Sequence, residues 1–170
     1  MNEVKIDKRL SYLYDKIKPK KSDPPLTRQV KERMLPDVRS RWKKYTEKPT
    51  GGRQMVARPL EDHVMDVIEE QIGADVKKRK KFLIWKDMDI RIDGLIEKQP
   101  KTLISCKVTL APEAFRESFS YAYFAKQWHG MKNIRFYIVA TYSVSESSKK
   151  LVEAGKPYVD GIYYLSEHPY

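Results

Sequence analysis

The stretch from Asp89 to Leu110, DIRIDGLIEKQPKTLISCKVTL, limits the folds open to this chain more than any other. It reads as two strands joined by a turn. Ile90, Ile92, Leu95 and Ile96 are strand formers on one side, and Leu103, Ile104, Val108 and Leu110 answer them on the other. Between them Glu97-Lys98-Gln99-Pro100-Lys101 is polar and holds a proline, which predicts the turn. Strand side chains alternate faces, so Ser105, Lys107 and Thr109 share one face and Ile104, Cys106 and Val108 the other. On the first strand Asp89, Arg91 and Asp93 lie together. The hairpin therefore brings Asp93 and Lys107 to one side of the sheet. A lysine inside an apolar strand is costly without an anionic partner, so Lys107 is expected to have one.

Asp93-Gly94, ten residues, then Ser105-Cys106-Lys107 resembles the active-site hairpin of the PD-(D/E)XK nuclease superfamily, which includes many restriction endonucleases. The chain departs from that pattern twice. Ile92 precedes Asp93 where the family has proline, and Ser105 stands where it usually has Asp or Glu. A minority of restriction enzymes, including a group that cuts CCGG-containing sites, carry Ser-x-Lys and supply the acid from the following helix. The resemblance thus implies a Ser-x-Lys variant.

Charge is divided unevenly along the chain. The formal net charge is +11, and residues 1–60 hold 17 basic and 7 acidic residues, a net of +10. Residues 61–170 hold 17 and 16, a net of +1. A basic arm on a near-neutral body points to a polyanion. An anionic membrane surface ranks lower, because no helix pairs a clean basic face with a bulky apolar one. Cys106 is the only cysteine, which excludes an intrachain disulfide and a cysteine zinc site and fits a small core residue in a reducing compartment. His63, His129 and His168 have no metal-ligand spacing. The segment MNEVKIDKR lacks an apolar signal region, and no apolar run is long enough to span a membrane, so a cytoplasmic protein is expected.

Along the chain, Ile6, Leu10, Leu13 and Ile17 predict a helix over 3–18, broken by Pro19 and by the segment ending at Pro24-Pro25. A second helix is expected from Thr27, bending or stopping at Pro36, and a short third one after it. There Trp42 and Tyr45 interleave with Arg39, Arg41, Lys43 and Lys44, a pattern that suits backbone phosphates and equally a helix docked by its aromatics. Arg53 lies in a Gly-rich loop that follows a nucleic-acid groove or merely connects. Leu60–Ile72 is predicted helical and ended by Gly73, with Glu61 projecting into its apolar arc. Val76–Lys81 is a charge run, expected as a solvated loop, before a strand at Phe82–Trp85. A helix from Pro112 to about His129 has an apolar arc containing Phe124, Trp128, Tyr121, Ala114, Ala125, Ala122 and Phe115, with Glu117 inside it. An acid so placed requires a metal, a cation or a proton, and an ion pair with Lys107 is the structural reading. A strand over Ile134–Tyr142, a helix over Ser145–Ala154 and a strand over Val159–Leu165 complete the chain.

That order, αβββαβ over 60–142 with an extension over 144–166, resembles the restriction-endonuclease fold. The expected organisation is an α/β core over 59–170, a central mixed sheet flanked by helices, and a basic helical arm over 1–58. The resemblance implies a Mg²⁺-dependent endonuclease acting on double-stranded DNA, a type II restriction enzyme working as a homodimer. Asp93 would be the central metal ligand, with Glu61 and Glu117 ligating directly or through water. Lys107 would orient the attacking water, Ser105 and Thr109 would hold waters around the ion, and Arg39, Arg41, Lys43, Lys44 and Arg53 would grip phosphates. Two other functions fit the same fold: a structure-specific nuclease resembling a junction resolvase, and a catalytically silent DNA-binding protein in which Ser105 marks a lost site.

Overall fold

A computed structural model describes residues 8–45, 54–143 and 146–166. The described residues form five helices and five strands, which from α3 onward follow the expected order: α1 Lys8–Ile17, α2 Pro25–Tyr45, α3 Gln54–Ile72, β1 Lys77–Trp85, β2 Met88–Ile96, β3 Lys101–Leu110, α4 Pro112–His129, β4 Ile134–Ser143, α5 Glu146–Gly155 and β5 Gly161–Tyr164. The strands form one sheet in the order β1-β2-β3-β4-β5. The first three are antiparallel, and β4 and β5 join in parallel. A parallel partner needs a crossover, and α4 and α5 supply the two crossovers.

Alternation on β3 divides the core as its pattern requires. Leu103 faces a cluster with Phe115, Ala122 and Ala125 of α4, while Ile104 and Cys106 face one with Val64, Met65 and Val67 of α3. The sheet is thus the middle of three layers, with α1–α3 on one face and α4–α5 on the other. Ile17, Val30, Met34 and Val38 of the N-terminal helices are buried in the α3 cluster. Each contributes roughly 1.5–3 kcal/mol on burial.

Three local expectations are corrected. α2 runs unbroken through Pro36. An interior proline costs about 3 kcal/mol, and here the buried stripe Val30-Met34-Val38 continues across it and offsets that cost. α2 is also anchored at its start, where the fully buried Lys31 ammonium meets Asp23 at 2.9 Å. α3 begins at Gln54 and carries Pro59 inside it, so Glu61 lies well past the helix start. The charge run is not a loop. Lys77–Lys81 forms the first half of β1, an edge strand paired with β2. Its cations meet acids on both sides, with Lys77 on Glu97, Lys78 on Asp66 and Lys81 on Asp89. Charged side chains are a usual way of protecting a sheet edge.

Gly94 holds the α3 layer close to the sheet. A Cβ there would fall inside contact distance of Sδ of Met65, a side chain with no exposure. Gly94→Ala is therefore expected to lose about 1–3 kcal/mol in urea unfolding. Shortening the obstructing chain in Gly94→Ala/Met65→Ala should return less than the sum of the two single losses, because the clash is then gone. Simple additivity would mean that Met65 is not what Gly94 makes room for.

Candidate active site

The candidate residues gather where β2 parts from β3. The β2–β3 ladder runs from Ile96↔Thr102 to Gly94↔Ile104. On the other side β1 pairs Lys78 with Gly94 and Lys80 with Ile92, passing over Arg79, whose φ of +51° is left-handed. Asp93 therefore has no ladder partner on either side among the described residues. Its carboxylate takes over one ladder function: Oδ2 accepts the Cys106 N–H at 2.6 Å. Asp93 is thereby fixed to β3 one residue before Lys107.

Lys107 has the anionic partner its strand position calls for. Nζ lies 2.7 Å from Oε2 of Glu117, and Tyr121 donates to the other carboxylate oxygen at 3.1 Å. The Lys107 side chain is 19% exposed and that of Glu117 is 49% exposed, so the pair sits at an opening rather than in the core. Glu61 reaches the same place from α3. Arg79 Nη1 lies 3.4 Å from Glu61 and 2.6 Å from Asp62.

The proximity of these groups bears on their pKa values. Burial raises the Asp93 pKa, with Glu117 adding to the rise and the Cys106 N–H, Lys107 and Arg79 opposing it. Burial also raises Glu61, the Asp93 charge raises it further, and Arg79 opposes both. The hydrogen bond from Lys107 lowers Glu117. Asp93, Lys107, Glu117 and Glu61 thus act on one another through Asp93. Ser105 does not join them. Its Oγ is buried 3.3 Å from Ser118 Oγ, under α4.

Glu117 occupies a different setting from the one its helix pattern predicts. The buried residues of α4 are Phe115, Ser118, Ala122, Ala125 and Lys126, while Phe124 and Trp128 are exposed. Small side chains let the helix approach the sheet closely, and the aromatic stripe with Glu117 in it turns outward. Lys126 tolerates burial because Asp160 meets it at 2.6 Å. Of the expected phosphate-gripping residues, Arg41 is exposed. Arg39 is engaged, with Nε and Nη2 3.0 and 2.7 Å from the Tyr14 hydroxyl. Trp42 packs against the α3 cluster. Arg53 and the side chains of Lys43 and Lys44 lie outside the described residues.

Sequence reasoning gives no site role to two residues that the structure places here. Arg79 is hidden in the charge run, and only its place opposite Asp93 distinguishes it from its neighbours. Tyr121 lies four residues after Glu117, on the same helix face, and that spacing is a usable signal.

The donors present suit a hard divalent cation. Mg²⁺ takes one or two carboxylates and completes its shell with water and phosphate oxygens. A part-buried Asp93 whose negative charge is opposed by burial and by Glu117 fits that need, because a cation would offset both. Among the described residues no group of three or more His, Cys, Asp or Glu is arranged as a metal cluster.

No protein-family model matches the chain, and no curated protein matches it. Among solved structures it is similar to the restriction endonuclease PspGI in complex with substrate DNA, at a TM-score of 0.52 and 14% identity, over 93% of this chain and 84% of that one. The fold is restriction-endonuclease-like. At that identity the likeness is one of architecture. The apo form of EndoMS also aligns, with 18% identity over 64% of this chain and 47% of that one, but its TM-score of 0.42 is too low to bear on the fold. Within the restriction-endonuclease-like core, α3-β1-β2-β3-α4-β4 is the αβββαβ unit, and Asp93 and Lys107 lie on its second and third strands. No described helix is long and apolar enough to cross a membrane.

Proposed function

We propose that the protein is a Mg²⁺-dependent DNA endonuclease of the PD-(D/E)XK type, in a Ser-x-Lys form, and that it acts as a restriction enzyme on double-stranded DNA. The observation that carries this reading is the Asp93 carboxylate on the Cys106 N–H, one residue before Lys107, with Glu117 on the lysine. Asp93 would hold the metal together with Glu61 or Glu117, and the bound ion would polarise the phosphate and acidify a water. Lys107 would orient that water and offset charge on the phosphate. Glu117 would hold the Lys107 ammonium in place and stand in for the acid missing at Ser105.

Supercoiled plasmid tests the proposal. Linear product with Mg²⁺ and none with EDTA is expected. Discrete fragments from a long duplex would identify a sequence-reading enzyme, and cutting confined to branched substrates a structure-specific one. Intact plasmid under every divalent ion tried would leave the silent DNA-binding reading. That second reading has one observation in its favour: the Lys107 ammonium is already engaged by an acid.

The DNA grip is proposed to come from the basic N-terminal segment. Because Arg39 is tied to Tyr14, the informative variant is Arg41→Gln/Lys43→Gln/Lys44→Gln. It is expected to flatten the slope of log affinity against log salt by about 2–3 units, at roughly 0.9 for each phosphate no longer neutralised. An unchanged slope would remove these three side chains from the DNA surface.

A further inference from the structure

Each of the two acids proposed to join Asp93 at the metal faces a cation of the chain. Glu117 holds Lys107, the lysine of the motif. Glu61 faces Arg79, which no motif requires. One nitrogen of that guanidinium, Nη1, serves two neighbouring carboxylates of α3, at 2.6 Å from Asp62 and 3.4 Å from Glu61. Arg79 also stands opposite Asp93, in the gap between the pairs Lys78↔Gly94 and Lys80↔Ile92. The three side chains are part-buried, at 18–30% exposure, so salt screens them less than it screens surface pairs.

We infer that Arg79 competes with a divalent cation for the Glu61 carboxylate and so sets how tightly the site holds the ion. This role rests on the metal reading of Asp93 and Glu61. The two contacts of Arg79 are unequal. Asp62 is the nearer partner, so the guanidinium keeps a seat when Glu61 turns to an ion. A positive charge opposite Asp93 also repels an ion held there, so competition and repulsion weaken binding together. Burial and the Asp93 charge raise the Glu61 pKa, and Arg79 opposes both, as a metal ion beside Glu61 would. A purely structural anchor of β1 on α3 predicts the opposite sign. It would hold Glu61 ready for the ion, and its loss would loosen binding.

Calorimetric titration of the full chain with Mg²⁺, at about 0.15 M salt, reads the competition without DNA or cleavage. Arg79→Met removes the charge and keeps an unbranched side chain. It is expected to tighten Mg²⁺ binding by at least ~10-fold, the scale on which groups around a metal ligand act. Asp62→Asn takes away the nearer seat and leaves Arg79 to Glu61, so it should weaken binding by at least ~3-fold. Lys80→Gln removes an exposed cation of the same strand. It should change binding by about twofold or less, because an exposed charge is screened. Circular dichroism and a thermal melt decide which variants keep the wild-type fold and are read, and Arg79 and Asp62 lie on separate elements. A smaller gain or a loss in folded Arg79→Met overturns the role. So does a smaller loss or a gain in folded Asp62→Asn. A Lys80→Gln gain as large as that of Arg79→Met overturns it too, because net charge alone would then account for both. No Mg²⁺ binding by any form removes the role together with the metal reading. Mg²⁺-dependent cutting with no gain in Arg79→Met removes the role alone. Mg²⁺ binding with the expected order and no cutting keeps the role and removes the nuclease reading.

Discussion

Asp93→Asn is expected to lower Mg²⁺-dependent cleavage by at least ~10³-fold, on the scale of removing an essential electrostatic group. The melting temperature should stay within a few degrees of wild type. The two effects separate because Asp93 has two duties. Its charge serves the metal, and its Oδ2 accepts the Cys106 N–H at 2.6 Å. Asparagine keeps an acceptor in that position and loses only the charge. Alanine loses both. An orphaned N–H in the sheet costs about 1–3 kcal/mol, so Asp93→Ala should melt about 3–10 °C lower for a chain of this size. Cleavage by Asp93→Asn within tenfold of wild type would remove the aspartate from the chemistry. Equal melting of the alanine and asparagine forms would mean that the Cys106 hydrogen bond contributes nothing to stability.

Lys107→Ala should also be inactive, by ~10²-fold or more, yet lose no more than about 1 kcal/mol of stability. The reason is exposure. Half of the Glu117 side chain faces water, so deleting the lysine leaves a hydrated carboxylate still bonded to Tyr121. A double-mutant cycle with Glu117→Gln measures the pair directly by urea unfolding. A coupling of several kcal/mol with cleavage retained would make Lys107–Glu117 a structural bridge, and the proposed lysine role would fall.

Much of this arrangement is legible in the sequence because strand periodicity is short and rigid. Alternation alone places Lys107 opposite Ile104 and Cys106 and requires an anion beside it, which Glu117 supplies. The order of elements follows from apolar runs punctuated by Gly and Pro. The failures come from partners far along the chain. The inner face of α4 is decided by close packing of Ser118, Ala122 and Ala125 and by Asp160, which lets Lys126 be buried. The apolar arc includes the buried Phe115, Ala122 and Ala125, but it takes in Phe124 and Trp128 as well and leaves out Ser118 and Lys126. Arg79 is illegible in the same way. Its partners are two acids of α3, which a local window does not contain. Pro36 misleads because one residue suggests a helix end, while the buried positions on either side of it hold the helix together.

The single thiol gives this site a built-in clock. Cys106 lies between the two central residues of the site, with its amide on the Asp93 carboxylate and its side chain closed off in the α3 cluster. Burial, more than the charges of Asp93 and Glu61, holds the thiol well above its ordinary pKa. In the closed protein it is therefore both inaccessible and unreactive. A thiol reagent meets it only when the α3 layer lifts off the sheet, so the labelling rate measures how often that region opens. Any ligand that holds Glu61 of α3 to Asp93 of the sheet slows that rate, and its binding can be timed without adding a probe.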